Sequence, residues 1–327
     1  MRLPYSPRPM AGEGLSSWTA RVAVHNFVGL ADFWFWIGAS SVEDIAPSPS
    51  SVARLSAITG VAEAQIHAIC ECPPTGGRAW IAAPAVNGLR GAACTVCCRE
   101  AAEQGRDHWW SLQSQALMQV SCPIHQCGLA GLDNLEFVLV GDRLRLARDD
   151  GAHLGVGRGR PLDPLLLSFE AAILEGHTGQ AMDGRWRVRS VHALRRATAI
   201  LVDYVLYRED VGTPFAQIFD TQRSNGGHVA ALSPHETPKG LERLQGQSMR
   251  TRRNVLSAIA ALLARPETQR KDNADAPPWR AALDARGPFW TLVQNIGPEP
   301  RRHLAARLGQ LPAKIAAPVR SALELAA

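Results

Sequence analysis

The stretch CTVCCREAAEQGRDHWWSLQSQALMQVSCPIH, residues 94–125, holds a Cys-x2-Cys and a Cys-x2-His with 24 residues between them. Thiolate and imidazole are the donors zinc takes in tetrahedral sites, and short knuckles suit it because turn amides point at the sulfurs. Cys94, Cys97, Cys122 and His125 supply two ligands from each of two knuckles, with Pro123 stiffening the second. Cys98 and Cys127 flank these positions and compete for the same role. Cys70 and Cys72 form a Cys-x-Cys, readable as a separate weak site or as two small buried residues. The seven cysteines crowd between Cys70 and Cys127, which suits metal in a reducing compartment better than a disulfide framework.

A catalytic zinc keeps one position open beside a general base. Here four good donors close the site. No His-x-Glu precedes Cys94, and Ala93 stands where a zinc deaminase has proline. The expectation is one structural Zn2+ whose binding energy is folding energy. Phosphate-loop and nucleophile-elbow signatures are missing from the sequence. GVGRG, residues 155–159, follows no credible buried strand and fails as a dinucleotide loop.

The elements that must position these residues read as helices. GEGLSSWTARVAVHNF looks like a helix capped by Ser16 or Ser17, with Leu15, Trp18 and Val22 as its apolar stripe. Four aromatics follow at residues 33–36, a core cluster more than a stacking platform. SVARLSAITGVAEAQIHAI places Gly60 between two short helices, at the offsets of a helix-turn-helix or an ordinary helical hairpin. Its second helix would offer Glu63, Gln65 and His67 to solvent, an acidic reader for a DNA groove. FVLVGDRLRLARDDG predicts a strand hairpin turning at Gly141-Asp142. A Gly/Pro/Asp-rich stretch then marks a boundary near residue 155, and helices follow. The fold class expected is mainly α. Residues 1–150 hold the helix-turn-helix-like pair (about 51–70) and the embedded zinc finger (about 90–130), and residues 156–327 form a basic helical domain.

Charge is uneven. Residues 1–150 carry 11 Lys/Arg against 14 Asp/Glu, a net −3, and residues 151–327 carry 24 against 16, a net +8. The basic half suits a polyanion partner or simply a solvated face. RWRVRSVHALRR brings Arg185, Arg187, Arg189, Arg195 and Arg196, and QSMRTRR brings Arg250, Arg252 and Arg253. On one helix Arg185, Arg189 and Arg196 share a face, and these eight arginines are the candidate nucleic-acid contacts. No apolar run reaches the roughly 18 residues of a membrane span, and the N-terminus lacks the apolar stretch of a signal peptide, so a cytoplasmic chain is expected.

Three stretches together resemble the TniQ family of transposon target-selection proteins. They are the opening PYSPRPMAGEGLSSWTARVAVHNF with Glu13, Trp18 and Arg21, the pair ARLSAITGVAEAQIHAI, and the knuckles with HWWSLQ between them and CPIHQCGL closing. The family usually has proline after the first knuckle cysteine. This chain reads Cys-Thr-Val-Cys-Cys, which leaves Cys97 and Cys98 competing. The resemblance implies Cys94, Cys97, Cys122 and His125 as ligands and Trp109 and Trp110 as packing for the finger. It also implies a non-catalytic adaptor that recognises DNA, directly or through an RNA-guided complex, and recruits a AAA+ ATPase. Residues 1–26 would contribute to that contact, with Glu13, Trp18 and Arg21 as partner-binding residues and Glu13 and Arg21 at the surface. A bacterial cytoplasmic setting follows, associated with the nucleoid when on DNA; the oligomeric state stays open, a dimer included. A helix-turn-helix and zinc-finger transcriptional regulator is the first rival reading, and a catalytic-zinc enzyme the second.

Overall fold

The computed structural model describes residues 2–38, 48–70, 92–111, 114, 116–131, 135–148, 159, 161–174, 191–205, 244, 247–263 and 298–311. The chain divides into two compact units, Met1–Leu162 and Asp163–Ala327. The described residues are mainly helical.

In the first unit, α1 (Leu15–His25) and α2 (Leu30–Trp36) precede the pair α3 (Pro49–Thr59) and α4 (Glu63–Ala68). Leu15, Trp18 and Val22 recur at helical spacing on α1 and enter a core with Phe33, Trp34, Ile37, Val52, Leu55 and Ile66. Ala20 points the other way, into a second core with Ala93, Cys98, Trp110 and Leu146. Wedged between two cores, α1 is buried along residues 15–23. Trp18 is fully buried, and its ring nitrogen donates to the Pro7 carbonyl at 2.7 Å. Truncating such a side chain costs about 3–5 kcal/mol.

The caps differ in part from expectation. Gly14 is the N-cap of α1 and no serine caps it; Ser17 Oγ donates instead to Glu13 Oε1 at 2.7 Å. Ser48 does cap α3, accepting from the Ser51 amide at 3.1 Å, with Pro49 opening the helix. Gly60 ends α3 at φ 72°, a left-handed turn that glycine adopts without a Cβ clash, and α4 starts three residues later. The aromatic run splits: Phe33 and Trp34 are buried while Phe35 and Trp36 are exposed.

Beyond this pair, β1 (Ala92–Ala93) precedes α5 (Thr95–Glu103), and β2 (Ala130–Gly131) returns antiparallel to β1 in the register Ala92↔Gly131, Ala93↔Ala130. This clip brings the two ends of the cysteine segment together. The hairpin of β3 (Leu135–Val140) and β4 (Arg143–Arg148) turns at Gly141-Asp142 as its sequence predicts, with Leu135 opposite Arg148 and Val140 opposite Arg143. Gly141 sits at φ 65°.

The second unit contains α6 (Pro164–Leu174), α7 (Val191–Val205), α8 (Met249–Leu263) and α9 (Pro298–Gly309). Asp163 Oδ1 accepts from the Leu165 amide ahead of α6, whose first residue is Pro164. Phe169 and Ile173, Leu194 and Leu201, Val255 and Ile259, and Leu304 and Leu308 are buried at helical spacing. α7 packs against α6, α8 and α9, and α8 also packs against α6. No helix among the described residues is long and apolar enough to cross a membrane.

Candidate metal centre

Cys94 is the N-cap of α5, so its sulfur faces the free amides of the first helical turn, and the Cys97 amide donates to it at 3.5 Å. Cys122 repeats the arrangement in the second knuckle, where the His125 amide donates to its sulfur at 3.5 Å. Gln126, at φ 51°, turns the chain back, and the Cys122 amide closes the loop on the Cys127 carbonyl at 2.8 Å.

Zinc bonds of about 2.3 Å to sulfur and about 2.05 Å to nitrogen set tetrahedral edges of about 3.8 Å (S to S) and about 3.6 Å (S to N). Cys97 Sγ lies 3.7 Å from Cys122 Sγ. His125 Nδ1 lies 3.5 Å from Cys94 Sγ, 3.3 Å from Cys97 Sγ and 3.6 Å from Cys122 Sγ. All four donors lie within 4.8 Å of one another and form a compact cluster that could hold a metal ion. The residues present therefore fit a tetrahedral divalent cation.

The electrostatics agree. Hydrogen bonds from the Cys122 and Cys97 thiols pull Cys94 down to about 2, while contacts with Cys122 and Cys94 push Cys97 far upward. Sulfurs this close compete for one negative charge unless a cation sits among them. Glu100, one turn after Cys97 on α5, reaches His125 Nε2 with Oε1 at 3.0 Å. A proton on Nε2 leaves the Nδ1 lone pair for a metal, the usual carboxylate–histidine support of a ligand. The sequence held this signal as a glutamate one helical turn past a knuckle cysteine, and motif spacing alone passes over it.

Cys98 points away from the cluster into the core beside Trp110, and burial pushes its thiol up to about 12. Its place in that core distinguishes it from Cys97, whose sulfur lies among the other donors. Cys127 Sγ touches Cys94 Sγ at 3.5 Å but stands outside the four-donor group; burial first, then its bond to Cys94, pushes it up to about 12. Cys70 is buried and its thiol donates to the Ile66 carbonyl at 2.9 Å; Cys72 lies outside the described residues. Trp110 is buried in the core beside the finger and Trp109 is half-buried.

The residues expected at a partner surface lie inside. Glu13, Trp18 and Arg21 are 0%, 0% and 2% exposed, which corrects the expectation that Glu13 and Arg21 face solvent. Arg21 donates to both Glu13 oxygens at 2.8 Å, to Asp107 Oδ2 at 3.2 Å and to the Arg8 carbonyl at 2.8 Å. Asp107 Oδ2 also meets His25 Nε2 at 3.1 Å, and Oδ1 accepts from the Leu144 amide at 3.0 Å. Burial would raise the Asp107 carboxyl, but the Leu144 amide, His25 and Arg21 together hold it below its ordinary value. Burial likewise works against Arg21, and Glu13 with Asp107 more than offset it, raising the guanidinium above its ordinary value. A buried charge requires such partners, so Glu13 and Arg21 are where the core needs them. Asp107 and His25 were not singled out because the partners are more than 80 residues apart in the chain.

The arginines separate by environment. Arg195 is buried and donates twice to the Ile173 carbonyl, at 3.0 and 2.8 Å, near the C-terminus of α6. Arg252 is buried and donates to the Gln247 carbonyl at 3.1 Å, and Arg253 is half-buried. Arg196, which donates to Gln310 Oε1 at 2.8 Å, and Arg250 are exposed. Arg185, Arg187 and Arg189 lie outside the described residues.

Comparison with curated proteins and with solved structures gives no match. Residues 4–129 match the family model TniQ, a span that takes in α1, the α3–α4 pair and all four metal donors.

Proposed function

We propose that this protein is a non-catalytic target-site adaptor of DNA transposition, which binds DNA or a nucleic-acid-guided complex and recruits a AAA+ ATPase. The observation that carries this reading is the TniQ domain over residues 4–129 with a four-donor cluster inside it. Four donors fill a tetrahedron, so the cation, taken as one Zn2+ on Cys94, Cys97, Cys122 and His125, holds the finger together and offers no open position to a substrate. The three-residue turn at Gly60 supports a helix-turn-helix-like role for α3 and α4 in this reading.

In the same reading the basic unit from Asp163 onward meets nucleic acid. Arg196 and Arg250 are the exposed contacts, and Arg185, Arg187 and Arg189 join them from the preceding segment. Arg195 and Arg252 act by holding helices in place, and Arg253 stands beside them. Glu13, Trp18 and Arg21 serve the ATPase contact by fixing the arm of residues 2–10, which presents Tyr5 outward. The protein would work in the bacterial cytoplasm, on the nucleoid when bound.

The test is capture of the full chain with a AAA+ ATPase and DNA, comparing intact protein with one lacking residues 1–10. Loss of ATPase but not DNA supports the adaptor. A folded, metal-loaded protein that binds DNA and no ATPase would favour the regulator, for which the exposed Gln65 and His67 of α4 are the candidate base contacts.

A further inference from the structure

GVGRG, residues 155–159, does not read as a dinucleotide loop, yet its last glycine lies against a cysteine beside the donor cluster. A Cβ at Gly159 would stand 2.8 Å from Cys127 Sγ, 2.9 Å from Cys127 Cβ and 2.8 Å from Val96 Cγ2. No side chain fits in that space without moving the cysteine. Two further ties fix the same spot: Cys127 forms a β-bridge with Pro161, and the Leu162 amide donates to the Gln126 carbonyl at 3.2 Å. Gly159, Pro161 and Leu162 thus lie as a strap across the second knuckle.

What the strap holds is a thiol in contact with a ligand. Cys127 Sγ is 3.5 Å from Cys94 Sγ and buried, and it is not one of the four clustered donors. Three thiolates on a divalent cation leave one surplus negative charge, and hydrogen bonds to sulfur spread it. Cys94 receives one such bond from the Cys97 amide, as Cys122 does from the His125 amide. We propose that Cys127 is a positioning residue of the metal centre, its S–H donating to the Cys94 thiolate, and that Gly159 is glycine to admit its sulfur. This rests on the zinc reading above and adds an outer partner for Cys94, as Glu100 is for His125.

The experiment loads the full chain with Co2+ to read the ligand field and measures Zn2+ affinity by competition with a chromogenic chelator. Cys127→Ala should keep the cobalt bands of a three-sulfur, one-nitrogen site and bind Zn2+ about 10-fold more weakly. Cys127→Ser retains a donor and should recover most of that loss. Gly159→Ala alters no ligand and should weaken binding toward the Cys127→Ala level. Unchanged affinity in Cys127→Ala overturns the proposal, and so do altered cobalt bands, which would make Cys127 itself a ligand. If Cys127→Ala does not fold, Gly159→Ala decides: affinity equal to wild type overturns the idea, and weaker binding than Cys127→Ser supports it. Failure of the wild-type chain to take up either metal would defeat the zinc reading first, and this proposal with it.

Discussion

Arg21 makes four hydrogen bonds to charged or carbonyl oxygens from a position 2% exposed, and its removal strands Glu13 and Asp107 in the same interior. Breaking a buried ion pair on one side costs about 3–5 kcal/mol, because the remaining charge loses its partner. Arg21→Met should therefore lower the unfolding free energy of the first unit, read from urea titration, by that amount. Arg250→Ala, at an exposed position, should stay within about 0.5 kcal/mol of wild type. Asp107 gives the same network a pH signature. Its folded carboxyl titrates below the ordinary 3.8, so its stabilisation is complete above that value and is lost as pH falls through the lower folded value. Asp107→Asn should be less stable at neutral pH and should show a shallower loss of stability below about pH 4. Parallel pH–stability curves for the two proteins would refute this. Among the ligands, Cys122→Ala should abolish metal uptake and unfold residues 90–130, since structural zinc contributes on the order of 10 kcal/mol in small fingers. A variant with wild-type circular dichroism and no bound metal would show the cation to be dispensable.

α7 carries Arg195 and Arg196 side by side in sequence, and the helix separates them by about 100° around its axis. Arg195 turns inward to the last turn of α6, where its charge and two donors satisfy the Ile173 carbonyl; Arg196 turns outward. Arg195→Ala should destabilise the second unit by about 1.5–3 kcal/mol, the range for a hydrogen bond to a charged group. Arg196→Ala should leave the melt nearly unchanged and weaken DNA binding instead, and the two readouts exchanged would reverse these assignments. The pair also shows what a sequence makes legible. Residue type announced a positive run, but the side of the helix depended on an α6 carbonyl reached only after tertiary packing. The clustering of Cys94, Cys97, Cys122 and His125 was readable because knuckle spacing is local chemistry: two short turns, each presenting two donor atoms to one point. The β3–β4 hairpin was readable for a similar reason, a Gly-Asp turn between apolar alternations. The burial of Glu13 and Arg21 was not, since Asp107 joins them from more than 80 residues away. α1 looked like a surface helix with one apolar stripe because its second core, reached through Ala20, is assembled from Cys98, Trp110 and Leu146 far along the chain.

At the scale of the whole chain, the two units differ in charge as well as in what holds them together. Met1–Leu162 carries 13 Lys/Arg against 14 Asp/Glu, and Asp163–Ala327 carries 22 against 16, so the units stand at −1 and +6. Sequence-independent affinity for nucleic acid comes from phosphate neutralisation and counterion release, and each contact adds roughly 0.9 to the salt slope on duplex DNA. A nearly neutral unit whose most buried arginine is spent on Glu13 and Asp107 has little to contribute to that slope. The unit from Asp163 onward should therefore retain most of the slope of the full chain when binding is titrated with salt on random-sequence DNA. Chelating the metal should leave that slope almost unchanged, because all four donors lie in the other unit. Substituting Arg196 and Arg250 together should lower the slope by about 2 and weaken all sequences alike. A slope that collapses on metal removal, or that follows residues 1–162 alone, would move the nucleic-acid contact to the finger and leave the basic half as a solvated surface.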